Sequence, residues 1–314
     1  MINENYPKTF AEFIDRFKSE EDCIDYIKEL RWPSGFICPR CGFGKAWNTN
    51  RYLMHCARCG YQTSITAGTL FHKTRKPLRM WFHVMWWMMS QKTGASAKNL
   101  SDVMGFGSYK TAWAWLHKFR RAMICPGRDR LNGVVEIDET QLGGEEEGNK
   151  GRKRVKNALI VVAVEVEEKK LGRVRFRCIP DASAESLIPF VQDYVEPGST
   201  TITDGWKGYG SLWKYGYNHE IRIIAGSNKK ASDILPHVHL VVSLLKRWLM
   251  GTHRGAVSSV HLPFYLDEYA FRFNRRLSTY RGKLFYRLMQ QAVITEATPL
   301  DKMFATRRPR KSNN

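Results

Sequence analysis

The chain has 314 residues, 43% of them hydrophobic and 25% charged. That is enough apolar material for one large domain with a small companion, or for two to three modest ones, and it excludes wholesale disorder. Fifty Lys plus Arg against thirty Asp plus Glu give a formal charge of +20; such a chain repels itself, and its expected partner is a polyanion, with nucleic acid ahead of a membrane surface. No apolar run approaches the roughly 18 residues that span a bilayer, and Met1 to Phe10 lacks the apolar centre of a signal peptide, so a cytoplasmic protein is expected.

Residues 1–35 read as a helical lead-in, with Ser19 capping a helix that runs to Leu30 and is stopped by Pro33 and Gly35. Residues 36–72 read as a zinc ribbon. Cys38-Pro-Arg-Cys41 and Cys56-Ala-Arg-Cys59 are two knuckles separated by 14 residues. Each knuckle aims two thiolates at one ion, and four soft sulfurs close a tetrahedron around Zn²⁺. Gly42 and Gly60 follow the knuckles, where a permissive backbone is needed. A pair of disulfides is the competing reading. Cys23, Cys125 and Cys178 read as buried free thiols. A closed four-sulfur site stabilises a fold without reacting, so a metal that performs chemistry must lie elsewhere.

Residues 73–125 read as a helical, helix-turn-helix-like DNA-binding region. Pro77 opens a Trp- and Met-rich helix from Leu78 to Ser90; a second helix runs from Ser96 to Met104; Gly105-Phe106-Gly107 turns the chain; and Ser108 caps a third helix to about Met123. Lys118, Arg120 and Arg121 end that helix as candidate phosphate contacts. A plain packing module, with Trp113, Trp115, Leu116 and Phe119 in its core, remains open.

Pro126-Gly127 marks a boundary, after which strands dominate: Val134 to Asp138, Asn157 to Val166 and Val174 to Ile179. A helix from Ala184 to Tyr194 and a strand from Thr200 to Thr203 follow. Between the first two strands, Gly143 to Lys156 is a polar loop whose Lys153 and Arg154 could grip a DNA backbone, or simply be solvated. Three antiparallel strands, a helix and a further strand is the order of ribonuclease-H-like folds. The expected class is therefore α/β (α+β), with this catalytic domain over 130–290 and a basic tail over 291–314.

Asp138 and Asp204 stand at strand ends that such a sheet would set side by side. Their carboxylates would repel unless divalent cations lay between them, and hard oxygens suit Mg²⁺. In a later helix, Val238, Val241, Val242, Leu245 and Trp248 share an apolar side. His239, Ser243 and Lys246 share the other, His239 and Lys246 standing about two turns apart. A metal ligand with a phosphate-binding Lys is one reading of that side; a solvated surface is the other.

Over residues 8–290 the chain resembles the insertion-sequence transposases of the DDE superfamily, in the ISXO-like group with an N-terminal zinc ribbon. The resemblance rests on Arg31-Trp32-Pro33, both cysteine knuckles, Glu136-Ile137-Asp138-Glu139-Thr140 with Gly143-Gly144, and Thr203-Asp204-Gly205-Trp206. It continues in Leu244 to Trp248, Gly251-Thr252-His253, Tyr265 to Tyr269, and Phe271 to Arg276. It implies that Asp138 and Asp204 are the first two metal-binding acids and that Lys246 is the family's lysine. His239 then stands seven residues earlier, at the third ligand position, where many relatives carry Glu. An imidazole there would tolerate Mn²⁺ better than Mg²⁺. Glu268 is a reserve carboxylate. The resemblance also implies structural Zn²⁺, catalytic Mg²⁺ or Mn²⁺, and two reaction steps on double-stranded DNA. Hydrolysis at the element's end frees a 3′-hydroxyl, which then attacks target DNA. Both terminal inverted repeats must be held together, so a homodimer or larger multimer on nucleoid DNA is implied. Two alternatives are a decayed zinc-ribbon regulator that only binds DNA, and a ribonuclease-H-like nuclease or resolvase without strand transfer.

Overall fold

A computed structural model describes residues 4–49, 52–124, 127–142, 158–168, 170–223, 231–253 and 257–304. The chain divides into two compact units, Met1–Cys125 with Ser278–Asn314, and Pro126–Leu277.

The first unit begins with α1 (Phe10–Arg16) and α2 (Glu20–Arg31). Ser19 caps α2 as expected: its Oγ accepts from Asp22 N (3.1 Å), while Asp22 Oδ2 accepts from Ser19 N (2.7 Å). This reciprocal pair satisfies two otherwise unpaired donors at the helix start. Three short strands follow, β1 (Ala46–Asn48), β2 (Leu53–Cys56) and β3 (Gln62–Ser64), paired antiparallel in that order. Next come α3 (Leu78–Ser90), α4 (Ala97–Met104) and α5 (Tyr109–Ala122). Glu20 supplies the start of α3, its carboxylate accepting from Leu78 N (2.6 Å) and Arg79 N (3.1 Å). Gly105 ends α4 at φ +64°, a left-handed turn that glycine adopts without a Cβ clash. Trp81 of α3 stacks on Trp115 of α5 with ring centroids 3.6 Å apart, and Phe119 meets Trp81 edge-on.

The second unit is built on a five-stranded sheet. Its elements are β4 (Val134–Leu142), β5 (Ala158–Glu167), β6 (Lys170–Ile179), α6 (Ala184–Tyr194), β7 (Thr200–Thr203), β8 (Asn218–Ile221), α7 (Ala231–Ile234), α8 (Pro236–His253) and α9 (Leu262–Phe273). The strand order is β6-β5-β4-β7-β8. β4, β5 and β6 pair antiparallel, while β7 runs parallel to β4 and β8 parallel to β7. The apolar run of β5 is explained by burial on both faces. Ile160, Val162 and Val164 pack with α8 and α9, and Val161 and Ala163 pack with α6. β8 was not foreseen, because Asn218–Ile221 has only one strongly apolar residue and three of its four positions are exposed. It is an edge strand whose pairing, not its composition, defines it.

The chain then enters α10 (Gly282–Ala292) and α11 (Leu300–Phe304). The second unit thus closes at Leu277 rather than at 290. The reason is packing: Phe285 of α10 meets Phe13, Phe82 and Trp86 of the first unit at 5.4, 5.8 and 5.6 Å. The 291–314 segment is helical over α11, and its basic stretch from Arg307 lies outside the described residues.

Candidate functional site

The four knuckle cysteines converge. Their sulfurs lie within 4.8 Å of one another, with Cys38–Cys59 at 3.7 Å and Cys41–Cys56 at 3.6 Å. Four sulfurs about 2.3 Å from a tetrahedral zinc stand about 3.8 Å apart, so the donor set fits Zn²⁺. Each knuckle is tied by its glycine: Gly42 N donates to Cys38 O (2.9 Å) and Gly60 N to Cys56 O (3.1 Å), at φ +72° and +68°. All four sulfurs are unbridged thiols, which sets the disulfide reading aside. Cys23 is a buried free thiol as expected and Cys178 a partly buried one, while Cys125 lies outside the described residues.

The second cluster is assembled by the sheet. β7 pairs with β4 in the register Val134↔Thr200, Val135↔Thr201, Glu136↔Ile202. Asp138 and Asp204 each stand two residues past the last of these pairs, near enough for the Asp204 charge to act on the Asp138 carboxyl. On β4, Glu136, Asp138 and Thr140 share the face on which α8 lies, since strand side chains alternate. His239 Nε2 approaches Asp138 Oδ2 to 3.7 Å, and Lys246 Nζ donates to Thr140 Oγ1 at 3.3 Å. The four residues Asp138, Asp204, His239 and Lys246 are thereby brought to one edge of the second unit. Burial, then the charges of Glu139 and Asp204, push the Asp138 carboxyl up from 3.8 to about 7. Among the described residues, only the four cysteines form a group of three or more ligand atoms within 4.8 Å of one another. The ligand atoms of Asp138, Asp204 and His239 therefore do not all lie within 4.8 Å of one another.

Three supports of this edge escaped the sequence reading. Glu136 is 2% exposed, and its carboxylate accepts from His237 N (2.8 Å), Val238 N (2.9 Å) and His237 Nδ1 (2.7 Å). Glu139 points to the opposite face, where the buried Tyr209 hydroxyl donates to it at 2.7 Å; burial above all holds its carboxyl above the usual range, and Asp204 adds to that. Thr203, just before Asp204, meets His219 of β8 at 2.9 Å. The signal for Glu136 was its place two residues before Asp138, on the same strand face.

The basic residues divide. Arg120 is corrected as a phosphate contact: it is 1% exposed and donates to Ala95 O at 3.3 Å, so its guanidinium has no surface to offer. Lys118 lies half-buried over the Trp81 ring, and burial lowers its pKa; burial lowers that of Arg121 as well. The outward start of α5 is instead Tyr109, 58% exposed, and Lys110. Lys153 and Arg154 lie outside the described residues. Glu268 is fully buried and ion-paired with Arg272 at 2.9 Å, on a helix packed against β6, two strands from Asp138. Charge is also distributed unevenly along the chain: from 30 to 128 there are sixteen Lys and Arg and a single acid, Asp102.

Residues 130–274 match the ISXO2-like transposase domain, and residues 18–62 match the transposase zinc-ribbon domain. A transposase carrying a zinc ribbon is thus the class defined. An "uncharacterized protein in transposable element ISH50" of Halobacterium salinarum is 29% identical over 294 residues, covering 86% of this chain and 95% of that protein. A solved pre-cleavage Mos1 transpososome covers 67% of this chain and 74% of its own at 12% identity, with a TM-score of 0.26, an overlap that carries no argument. The chain belongs to the ISXO-like insertion-sequence transposases with an N-terminal zinc ribbon. Among the described residues, no helix is long and apolar enough to cross a membrane.

Proposed function

We propose that this transposase is a DDE-type enzyme that binds terminal inverted repeats, cleaves at the element end and joins the freed 3′-hydroxyl to target DNA. The observation that carries this reading is the β4–β7 register, which brings Asp138 and Asp204 together from positions 66 residues apart. The order β6-β5-β4-β7-β8, three antiparallel strands extended by two parallel ones, supports a ribonuclease-H-like sheet.

The donor chemistry fits divalent cations. Two acids and a nearby imidazole face one edge, and crowded negative charge helps hold Asp138 at about 7. Asp138, Asp204 and His239 would hold Mg²⁺ or Mn²⁺, with the nitrogen favouring Mn²⁺. When bound, such cations activate an attacking oxygen and stabilise a leaving one in phosphoryl transfer. Lys246, exposed beside Thr140, neutralises a phosphate near the scissile bond. Glu136 and Tyr209 hold the frame around these groups.

Recognition falls to the first unit. The nearly acid-free stretch from 30 to 128 supplies a continuous source of positive charge. The exposed Tyr109 and Lys110 begin the second helix of a helix-turn-helix, the part that reaches base edges in that motif. Lys118 and Arg121 are partial contributors, and Lys153 and Arg154 join the contact set on charge alone. Zn²⁺ holds the ribbon's fold. Two protomers or more act together, because two DNA ends must meet.

The test incubates purified protein with labelled terminal-repeat DNA and Mg²⁺ or Mn²⁺. Nicking followed by joining is the expected result. Nicking alone would indicate a nuclease or resolvase, and binding alone a regulator that has lost catalysis.

A further inference from the structure

We infer that Glu136 is a positioning residue that fixes where α8 lies along β4 and so delivers His239 to Asp138. The inference rests on the reading of Asp138 and His239 as cation ligands, and gives Glu136 a specific part in delivering one of them.

The geometry is a set of matched contacts along two rods. Glu136 meets residues 237 and 238, Asp138 meets His239, and Thr140 meets Lys246. From 136 to 140 the strand advances about 13 Å, and from 237 to 246 the helix advances about 13 Å. The helix therefore tracks the strand, and any slip at its start is felt at His239, one residue beyond Val238. Glu136 prevents that slip. α8 begins at Pro236, which has no N–H, so His237 and Val238 are the first backbone donors of the helix. Both end on the same Glu136 oxygen, and the ring of His237 donates from Nδ1 to the other. Without an acceptor the buried Val238 N–H and the partly buried His237 N–H would lose their partner, which penalises any other placement of the helix start.

The neighbouring core is not selective in this way. Val238, Val241, Val242 and Leu245 pack on an apolar surface with Val162 and Val164. Apolar contact is non-directional and tolerates a shift of the helix along the sheet. The hydrogen bonds to Glu136 are directional and do not.

Three variants test this. Glu136→Met keeps the volume and removes every acceptor. Glu136→Gln keeps one oxygen for the two backbone donors, and its amide can donate to His237 Nδ1 in the other tautomer. His239→Ala removes the delivered ligand. Mn²⁺ binding to zinc-loaded protein, followed by electron paramagnetic resonance, is expected to weaken about 10–100-fold in Glu136→Met, as for other groups that orient a ligand. Glu136→Gln should stay close to the parent. Joining Glu136→Met to His239→Ala should weaken binding no further than His239→Ala alone. Amide exchange at His237 and Val238, read without Mn²⁺, should quicken in Glu136→Met and not in Glu136→Gln. Additive losses in the double variant, or unchanged Mn²⁺ affinity in Glu136→Met, would overturn the assignment. Unchanged affinity in His239→Ala would instead remove the ligand reading on which it rests.

Discussion

The cysteine cluster fits a zinc ion and the acid edge is the cation site proposed above, yet the two gather their side chains differently. The cysteines come from two short knuckles, each closed by a local bond to its glycine, and the strands β1 to β3 only bring one knuckle to the other. Asp138, Asp204 and His239 come from β4, the end of β7 and α8, across 101 positions of the chain. The first site is complete in itself and has all four sulfurs within 4.8 Å. The second depends on elements that must be correctly stacked: a parallel strand pair, a helix start bound to Glu136, and a tyrosine beneath Glu139. A closed site serves stability.

The largest expected effect lies at the acid edge. Asp138→Ala and Asp204→Ala should each reduce cleavage of terminal-repeat DNA to background while leaving DNA binding nearly unchanged in a gel-shift titration. Loss of binding or folding in both would mean that these acids serve structure. At the closed site the contrast reverses. Zinc withdrawal, or Cys38→Ser, should unfold the ribbon and weaken DNA binding, because a structural zinc contributes on the order of 10 kcal/mol to a small fold. Circular dichroism and gel shift in parallel would show it; a ribbon that stays folded without metal would contradict it.

A smaller effect follows from the charge at Asp138. Its carboxyl is raised from 3.8 to about 7, so folding favours the protonated form. That contribution to stability is complete below about pH 3.8 and is lost as pH rises through about 7. Asp138→Asn has no charge to bury. Without added divalent cation, it should melt above the parent at pH 8, and the gap should narrow as pH falls to 5. A gap independent of pH would place the effect elsewhere. The smallest change is expected on the first unit's surface. Lys110→Ala should lower DNA affinity modestly and reduce the salt slope by about one, whereas Arg120→Met should lower the melting temperature and leave that slope alone.

How far the sequence carried the account follows from the same contrast. The ribbon could be read because its ligands repeat at a fixed local spacing, and α2 and α5 because Ser19 and Ser108 each cap a helix start. α6 and β7 were placed at their observed bounds, since each is a clear apolar pattern ended by Pro-Gly or Asp-Gly. β8 was missed because it is exposed and short. Arg120 was misjudged because a basic residue near a helix end looks the same whether it faces water or a carbonyl. Glu136 was passed over because nothing in a strand sequence says which backbone donors a distant helix will present to it. Residues whose role depends on one far partner leave little trace in local pattern.

The central claim is that segments 66 and 101 positions apart hold one cation site. Ferrous ion, bound in place of Mg²⁺ and given peroxide, cuts the backbone beside its ligands. The account requires cuts near Asp138, Asp204 and His239 in the same zinc-loaded protein, suppressed by excess Mn²⁺ and lost together in Asp138→Ala. Cuts near one of these segments alone, or cuts that persist in Asp138→Ala, would contradict it.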